Sequence, residues 1–167
     1  MNQEDLELTT LSVETAIDSP SSRPVSLSYQ VSMSQPESHL FEITLYVRDW
    51  KQPTLELSLP VWTPGSYLVR EYSRHLQDFS ARGEASLLWR KVQKNRWQIE
   101  TQGTSEIVVS YRVFANELTV RTNHLDETHG YFNGAALFLY VPGFEKQSIQ
   151  VEIVLPRSDW RIATTLP

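Results

Sequence analysis

The residues best equipped for chemistry lie in one run, Arg121-Thr-Asn-His-Leu-Asp-Glu-Thr-His-Gly-Tyr-Phe-Asn-Gly-Ala-Ala-Leu-Phe138. Within it His124, Asp126, Glu127 and His129 offer imidazole nitrogens and carboxylate oxygens inside six residues, a donor set that suits zinc in a tight loop. The competing reading is a solvated acidic loop whose histidines hydrogen-bond to backbone. It is preferred, because a metal site needs a fixed geometry that spacing alone does not supply. No metal is assigned to the chain on this basis, and the four residues stand only as candidates. Hydrolase nucleophiles fare no better: the chain has no cysteine, and Gly65-Ser66-Tyr67 lacks the Gly-x-Ser-x-Gly elbow that lifts a serine above a sheet. No catalytic residue is assigned.

A second run, Val61 to Ala81, is dense in a different way. Pro64-Gly65 fits the centre of a type II turn, since proline presets φ near −65° and glycine accepts the positive φ that follows. Trp62 and Tyr67 flank the bend, and Arg70, Glu71, Arg74, His75 and Asp78 follow it closely. These charges read either as solvated ion pairs worth less than ~1 kcal/mol each or as the polar rim of a docking surface whose anchors are the two aromatic rings.

The elements that must position these runs are strands. Val25, Leu27, Tyr29, Val31 and Met33 alternate with polar residues, and Phe41, Ile43, Leu45 and Val47 repeat the pattern, as do Leu55, Leu57 and Leu59 after Pro53. Period two marks strands with one wet face, and the three read as antiparallel neighbours. Leu68, Tyr72, Leu76 and Phe79, spaced by four, four and three, suit a turn of helix leading into a strand from about Leu76. Residues 87–92 and 96–100 form a hairpin across Gln93-Lys94-Asn95, with asparagine suited to the left-handed position. Ile107 to Val113, Leu118 to Arg121, Leu137 to Val141 and Ile149 to Leu155 complete the strands. This pattern predicts an all-β, antiparallel β-sandwich with at most one short helical segment near residues 66–76. Residues 1–24 are expected to form a loose arm, with at most an edge strand near Leu8 to Ile17, and residues 25–167 the sandwich domain.

Composition narrows the function classes. The 167 residues, 40% hydrophobic and 11% aromatic, suffice for one cored domain. Fifteen basic residues scattered among twenty acidic ones, net charge −5, give no electrostatic footprint for nucleic acid. No apolar run approaches the ~20 residues of a membrane span, and Met-Asn-Gln-Glu-Asp lacks the start of a signal peptide, so a cytoplasmic protein without a membrane partner is expected. Trp50, Trp62, Trp89, Trp97 and Trp160 raise an alternative, a stand-alone β-sandwich module binding carbohydrate or peptide, should several line one sheet face. The preferred reading is that they fill the core and its rim, with Trp97 inward in phase with Ile99.

The Trp-Thr-Pro-Gly-Ser-Tyr run and the Thr-His-Gly-Tyr-Phe-Asn-Gly run, in this order, resemble segments of the N-terminal domain of the M61 glycyl aminopeptidases, and the resemblance extends from about Val25 to Pro167. It implies a parent zinc metallo-aminopeptidase that removes N-terminal glycine or other small residues. In that family a helical catalytic domain carries His-Glu-x-x-His and a PDZ domain commonly follows. Here the histidines are His39, His75, His124 and His129, no two four apart, so the motif that would hold zinc is absent. The resemblance therefore implies a non-catalytic N-terminal domain cut from a longer chain, without a cofactor of its own, while zinc belongs to the catalytic domain beyond it. Its partners would be that catalytic domain and the peptide substrate. Trp62, Tyr67, Arg70, Glu71 and Arg74 are the expected interface residues. His129, Tyr131 and Asn133 are expected at the substrate cleft, near the free α-amino end of the peptide.

Overall fold

The computed structural model describes residues 24–165. Its strands are β1 (Ser26–Ser32), β2 (Leu40–Arg48), β3 (Thr54–Ser58), β4 (Leu76–Arg82), β5 (Trp89–Gln93), β6 (Arg96–Glu100), β7 (Ile107–Phe114), β8 (His124–Leu125), β9 (Gly130–Tyr131) and β10 (Gln150–Val154). One sheet has the order β10-β1-β2-β7-β4, a second the order β3-β6-β5, and β8 and β9 form a small hairpin of their own. The edge strand expected near Leu8 to Ile17 lies outside the described residues.

Alternation decides which side chains meet. Leu27, Tyr29 and Val31 of β1, Phe41, Ile43, Leu45 and Val47 of β2, and Ile107, Val109, Tyr111 and Val113 of β7 all turn one way and are buried. Leu55 and Leu57 of β3 and Trp97 and Ile99 of β6 belong to the same core cluster, so the two sheets bury their apolar faces against each other as a sandwich. Phe79 of β4 stacks on Trp97 at 5.7 Å and meets Trp89 edge-on at 4.7 Å, adding an aromatic contact to that core.

Five details depart from the sequence expectation. β3 does not pair with β2 but crosses to the second sheet and pairs antiparallel with β6; alternation reports which face is buried, not which sheet the strand joins. The crossing follows the left-handed Asp49 (φ 59°) and the buried Trp50, whose Nε1 donates to the Thr54 carbonyl at 3.2 Å. β10 lies parallel to β1, an exception to otherwise antiparallel pairing. Asn95 keeps negative φ and instead clasps Leu59, donating from Nδ2 to its carbonyl at 2.8 Å while its own carbonyl accepts the Leu59 N–H at 2.9 Å.

The fourth departure is at Leu118 to Arg121, which form a turn rather than a strand. Threonine hydroxyls compete with pairing there: Thr122 Oγ1 donates to the Glu117 carbonyl at 3.1 Å, and Thr119 Oγ1 accepts from the Arg121 N–H at 3.2 Å. The fifth is Leu137 to Val141, which begins as the last residue of the single-turn helix α1 (Gly134–Leu137) and makes only a lone bridge, Ser58 with Tyr140. The expected helical turn is present as a 3-10 turn, Tyr72–His75. Leu68, placed in its inward series by spacing, is exposed. No helix among the described residues is long and apolar enough to cross a membrane.

Candidate functional site

Both informative runs emerge as loops that meet. In the first, Gly65 takes φ +84°, and the Ser66 N–H donates to the Thr63 carbonyl at 3.1 Å, as a type II turn requires. Trp62 Nε1 donates to the Ser66 carbonyl at 2.8 Å, and the Arg70 N–H donates to the Val61 carbonyl at 2.6 Å. The loop is therefore closed by its own backbone, and this leaves Trp62, Tyr67, Leu68 and Val69 facing solvent, with Trp62 51% and Val69 73% exposed and Tyr67 fully so.

The second loop is fastened from beneath by three buried polar groups. Tyr111 Oη donates to the Leu137 carbonyl and accepts the Leu139 N–H, both at 3.0 Å. Tyr29 Oη donates to the Leu139 carbonyl at 2.7 Å. Burial pushes the Tyr29 phenol up to about 12 and that of Tyr111 further still, so both remain neutral donors. Asn123 spans the loop, its Nδ2 donating to the Ala136 carbonyl at 3.2 Å and its Oδ1 accepting the Asn133 N–H at 2.9 Å. His39 Nδ1 donates to the Leu125 carbonyl at 2.5 Å, which ties the β8–β9 hairpin to the end of the large sheet.

The two loops are joined by charge. Arg74 reaches Glu117 at 3.7 Å and donates from Nε to His75 Nε2 at 3.0 Å. Desolvation, and then the adjacent guanidinium, hold the His75 imidazole below its ordinary range, consistent with the neutral acceptor that this bond needs. Glu71 accepts from Lys94 Nζ at 3.0 Å, which lowers its carboxyl. Glu71 and Arg74 thus have partners within the chain. Arg70 differs: it is half-buried, and its Nε is shielded from solvent with no hydrogen-bond partner. A small crevice where the loops meet is lined by Tyr72, His75, Glu117 and Asn123.

In the hairpin the structure brings His124, Asp126 and His129 together and leaves Glu127 exposed outside the group. Tyr131 is 41% exposed, its hydroxyl 3.4 Å from the Val120 carbonyl. Asn133 is the N-cap of α1, its Oδ1 accepting the Ala135 N–H at 3.0 Å. Half of its amide is therefore engaged in holding the loop. Asn123, Tyr29 and Tyr111 were not singled out by sequence as site residues. The two tyrosines had a signal, because a hydroxyl at an inward strand position must find a partner.

Trp50 and Trp97 are buried and Trp160 is half-buried, whereas Trp62 sits in the first loop and Trp89 on β5, at the edge of the smaller sheet. Among the described residues the tryptophans do not form a row on one sheet face.

Residues 28–167 match the family model of the peptidase M61 N-terminal domain. The chain belongs to the M61 peptidase family. This M61 N-terminal domain is also similar to the crystal structure of an aminopeptidase N family protein from Idiomarina loihiensis, with 33% identity and a TM-score of 0.74. That likeness covers 78% of this chain and 22% of the Idiomarina protein, so the M61 domain spans about a fifth of that protein's length. An M1 zinc metallopeptidase from Deinococcus radiodurans aligns over 70% of this chain and 28% of its own. At 12% identity and a TM-score of 0.37, it is too remote to carry an argument. No curated protein matches.

Proposed function

We propose that the chain is the non-catalytic N-terminal domain of a zinc metallo-aminopeptidase that removes glycine or other small residues from peptide N-termini. In this reading the loop around Pro64-Gly65 packs on the catalytic domain of the same polypeptide, and His129, Tyr131 and Asn133 help to shape the substrate cleft. The histidines of this chain do not fit the zinc of that reaction, since none stand four apart as the helical zinc motif needs. The metal and its activated water belong to the catalytic domain, and this domain supplies surface and position.

The observation that carries the reading is the exposed apolar face of a loop whose backbone is closed on itself. Trp62, Tyr67, Leu68 and Val69 are exposed together, although single exposed hydrophobics are ordinary and clustered ones mark interaction surfaces. Arg70 supports it, because a half-buried guanidinium with an unpartnered Nε suits a carboxylate brought by a neighbour. At the cleft, the exposed Tyr131 hydroxyl and the unspent half of the Asn133 amide are suited to peptide backbone.

Tyr131 is the cleaner test, because Asn133 also caps α1. In the full-length enzyme, Tyr131→Phe is expected to raise KM for a glycyl substrate about fivefold to tenfold, the equivalent of one hydrogen bond. Zinc content should remain unchanged. Kinetics identical to wild type would remove Tyr131 from the cleft.

A further inference from the structure

We propose that His124, Asp126 and His129 form a binding site for a divalent cation of the zinc class, separate from the catalytic zinc of the proposed parent enzyme. The site lies on the β8–β9 hairpin, which presents three donors of the right chemistry. Nitrogen from two imidazoles and oxygen from one carboxylate suit zinc and its neighbours cobalt and nickel rather than calcium or magnesium, which prefer all-oxygen shells.

The distances support it. His124 Nε2 lies 3.0 Å from Asp126 Oδ2, and His129 Nδ1 lies 3.5 Å from Asp126 Oδ1. A tetrahedral site with bonds of about 2.0–2.1 Å has edges of about 3.3–3.4 Å; the His124–Oδ2 separation is near that length, while His129 stands beside the other oxygen of the same carboxylate. The three ligand atoms lie within 4.8 Å of one another, and the two rings stand 4.9 Å apart, tilted by 35°. Closing the longest edge calls for rotation of the half-exposed His129 ring, with an ion replacing the 2.9 Å contact of its Nδ1 to Thr128 Oγ1.

The carboxylate is already oriented. Asp126 Oδ1 accepts from the Thr128 N–H at 2.7 Å, the Thr128 hydroxyl at 2.6 Å and the His129 N–H at 3.0 Å. One oxygen is thus fixed by the loop while Oδ2 faces His124, the outer-shell support that fixes a metal-ligating carboxylate. Asp126 has no arginine or lysine partner among the described residues; the side chains that face its two oxygens include both imidazoles. His124 Nδ1 is buried without a hydrogen bond, which leaves Nε2, the nitrogen that faces Asp126, as the ring's ligand atom. Three protein ligands leave a fourth position for water on the exposed side of His129.

The test uses the full-length polypeptide, stripped with a chelator and reloaded with zinc, and counts metal per chain by mass spectrometry. Wild type is expected to hold one equivalent more than His129→Ala, and a His75→Ala control to hold as much as wild type. The difference is independent of any other zinc the polypeptide carries. Because a variant could lose metal by losing its hairpin, a second measurement uses wild type alone. Cobalt added to the stripped protein should shift and broaden the imidazole proton signals of His124 and His129 most strongly, with smaller shifts at His39, which abuts Leu125, and at His75. Equal metal counts in wild type and His129→Ala, or cobalt without effect on those two rings, would overturn the site.

Discussion

Tyr111→Phe is expected to destabilise the domain by about 3 kcal/mol, since it removes one oxygen that serves two buried backbone groups. Leu137 and Leu139 are fully buried, and the Tyr111 hydroxyl satisfies the carbonyl of one and the N–H of the other. A buried polar group left without a partner costs about 1–3 kcal/mol, and both groups belong to residues with no exposed surface. At roughly 3 °C per kcal/mol for a domain of this size, the midpoint of thermal unfolding should fall by about 10 °C. Tyr29→Phe strips one bond from the Leu139 carbonyl and should cost less. A Tyr111→Phe midpoint within ~2 °C of wild type would mean that these hydroxyls do not hold the loop.

The same pair sets an alkaline limit. An unfolded tyrosine ionises near pH ~10, whereas burial holds Tyr29 neutral to about 12 and Tyr111 beyond it. Above pH ~10 the unfolded chain therefore releases protons that the folded domain keeps. Stability is complete below that pH and falls as pH rises towards 12, by up to about 1.4 kcal/mol per pH unit for each tyrosine. Urea denaturation between pH 9 and 11.5 should show this slope, and Tyr29→Phe should make it shallower.

Those tyrosines also mark what was legible in the sequence. Strict alternation in β1, β2 and β7 exposed the sandwich without ambiguity, because one buried face permits only one phase. The same alternation could not say that β3 leaves its neighbours for the other sheet, or that β10 returns parallel to β1, since both choices bury the same side chains. Residues 118–121 and 137–141 misled for a related reason. Apolar and β-branched residues there satisfy strand propensity, but Thr119, Thr122 and the Asn133 cap offer the backbone closer partners than a second strand does.

The candidate site was legible as composition and not as geometry. Spacing put His124, Asp126, Glu127 and His129 in one loop, yet only the Asp126 turn decides that three of them converge and that Glu127 stays exposed outside the group. Asn123 carried no signal at all, because its role depends on Asn133 and Ala136 being folded back over it. Glu71 and Arg74 looked like interface residues in the first loop. The fold gives them Lys94 and Glu117, which leaves Arg70 as the loop's charge with an unpartnered buried atom.

Tyr67→Asp combined with Leu68→Asp should detach the domain from its proposed catalytic neighbour while leaving the domain itself intact. Both side chains face solvent, so the substitutions should change the stability of the 167-residue chain by no more than about 0.5 kcal/mol each. Buried at an interface, an aromatic anchor is worth about 2–4 kcal/mol, and a carboxylate placed in a desolvated apolar contact adds a penalty of its own. A tethered domain docks at an effective concentration of the order of millimolar, so a loss of that size shifts the docked population by a factor of about 30 to 1,000. In the full-length enzyme this predicts faster proteolytic cutting between the domains and at least a tenfold fall in kcat/KM for a glycyl peptide. Leu88→Asp provides the control, because Leu88 is also exposed but precedes β5 on the smaller sheet. If it lowers activity as much as the double variant does, the effect is not specific to the Pro64-Gly65 loop. If neither protein differs from wild type in proteolysis or rate, the loop faces solvent in the whole enzyme, and the packing surface must be sought elsewhere on the sandwich.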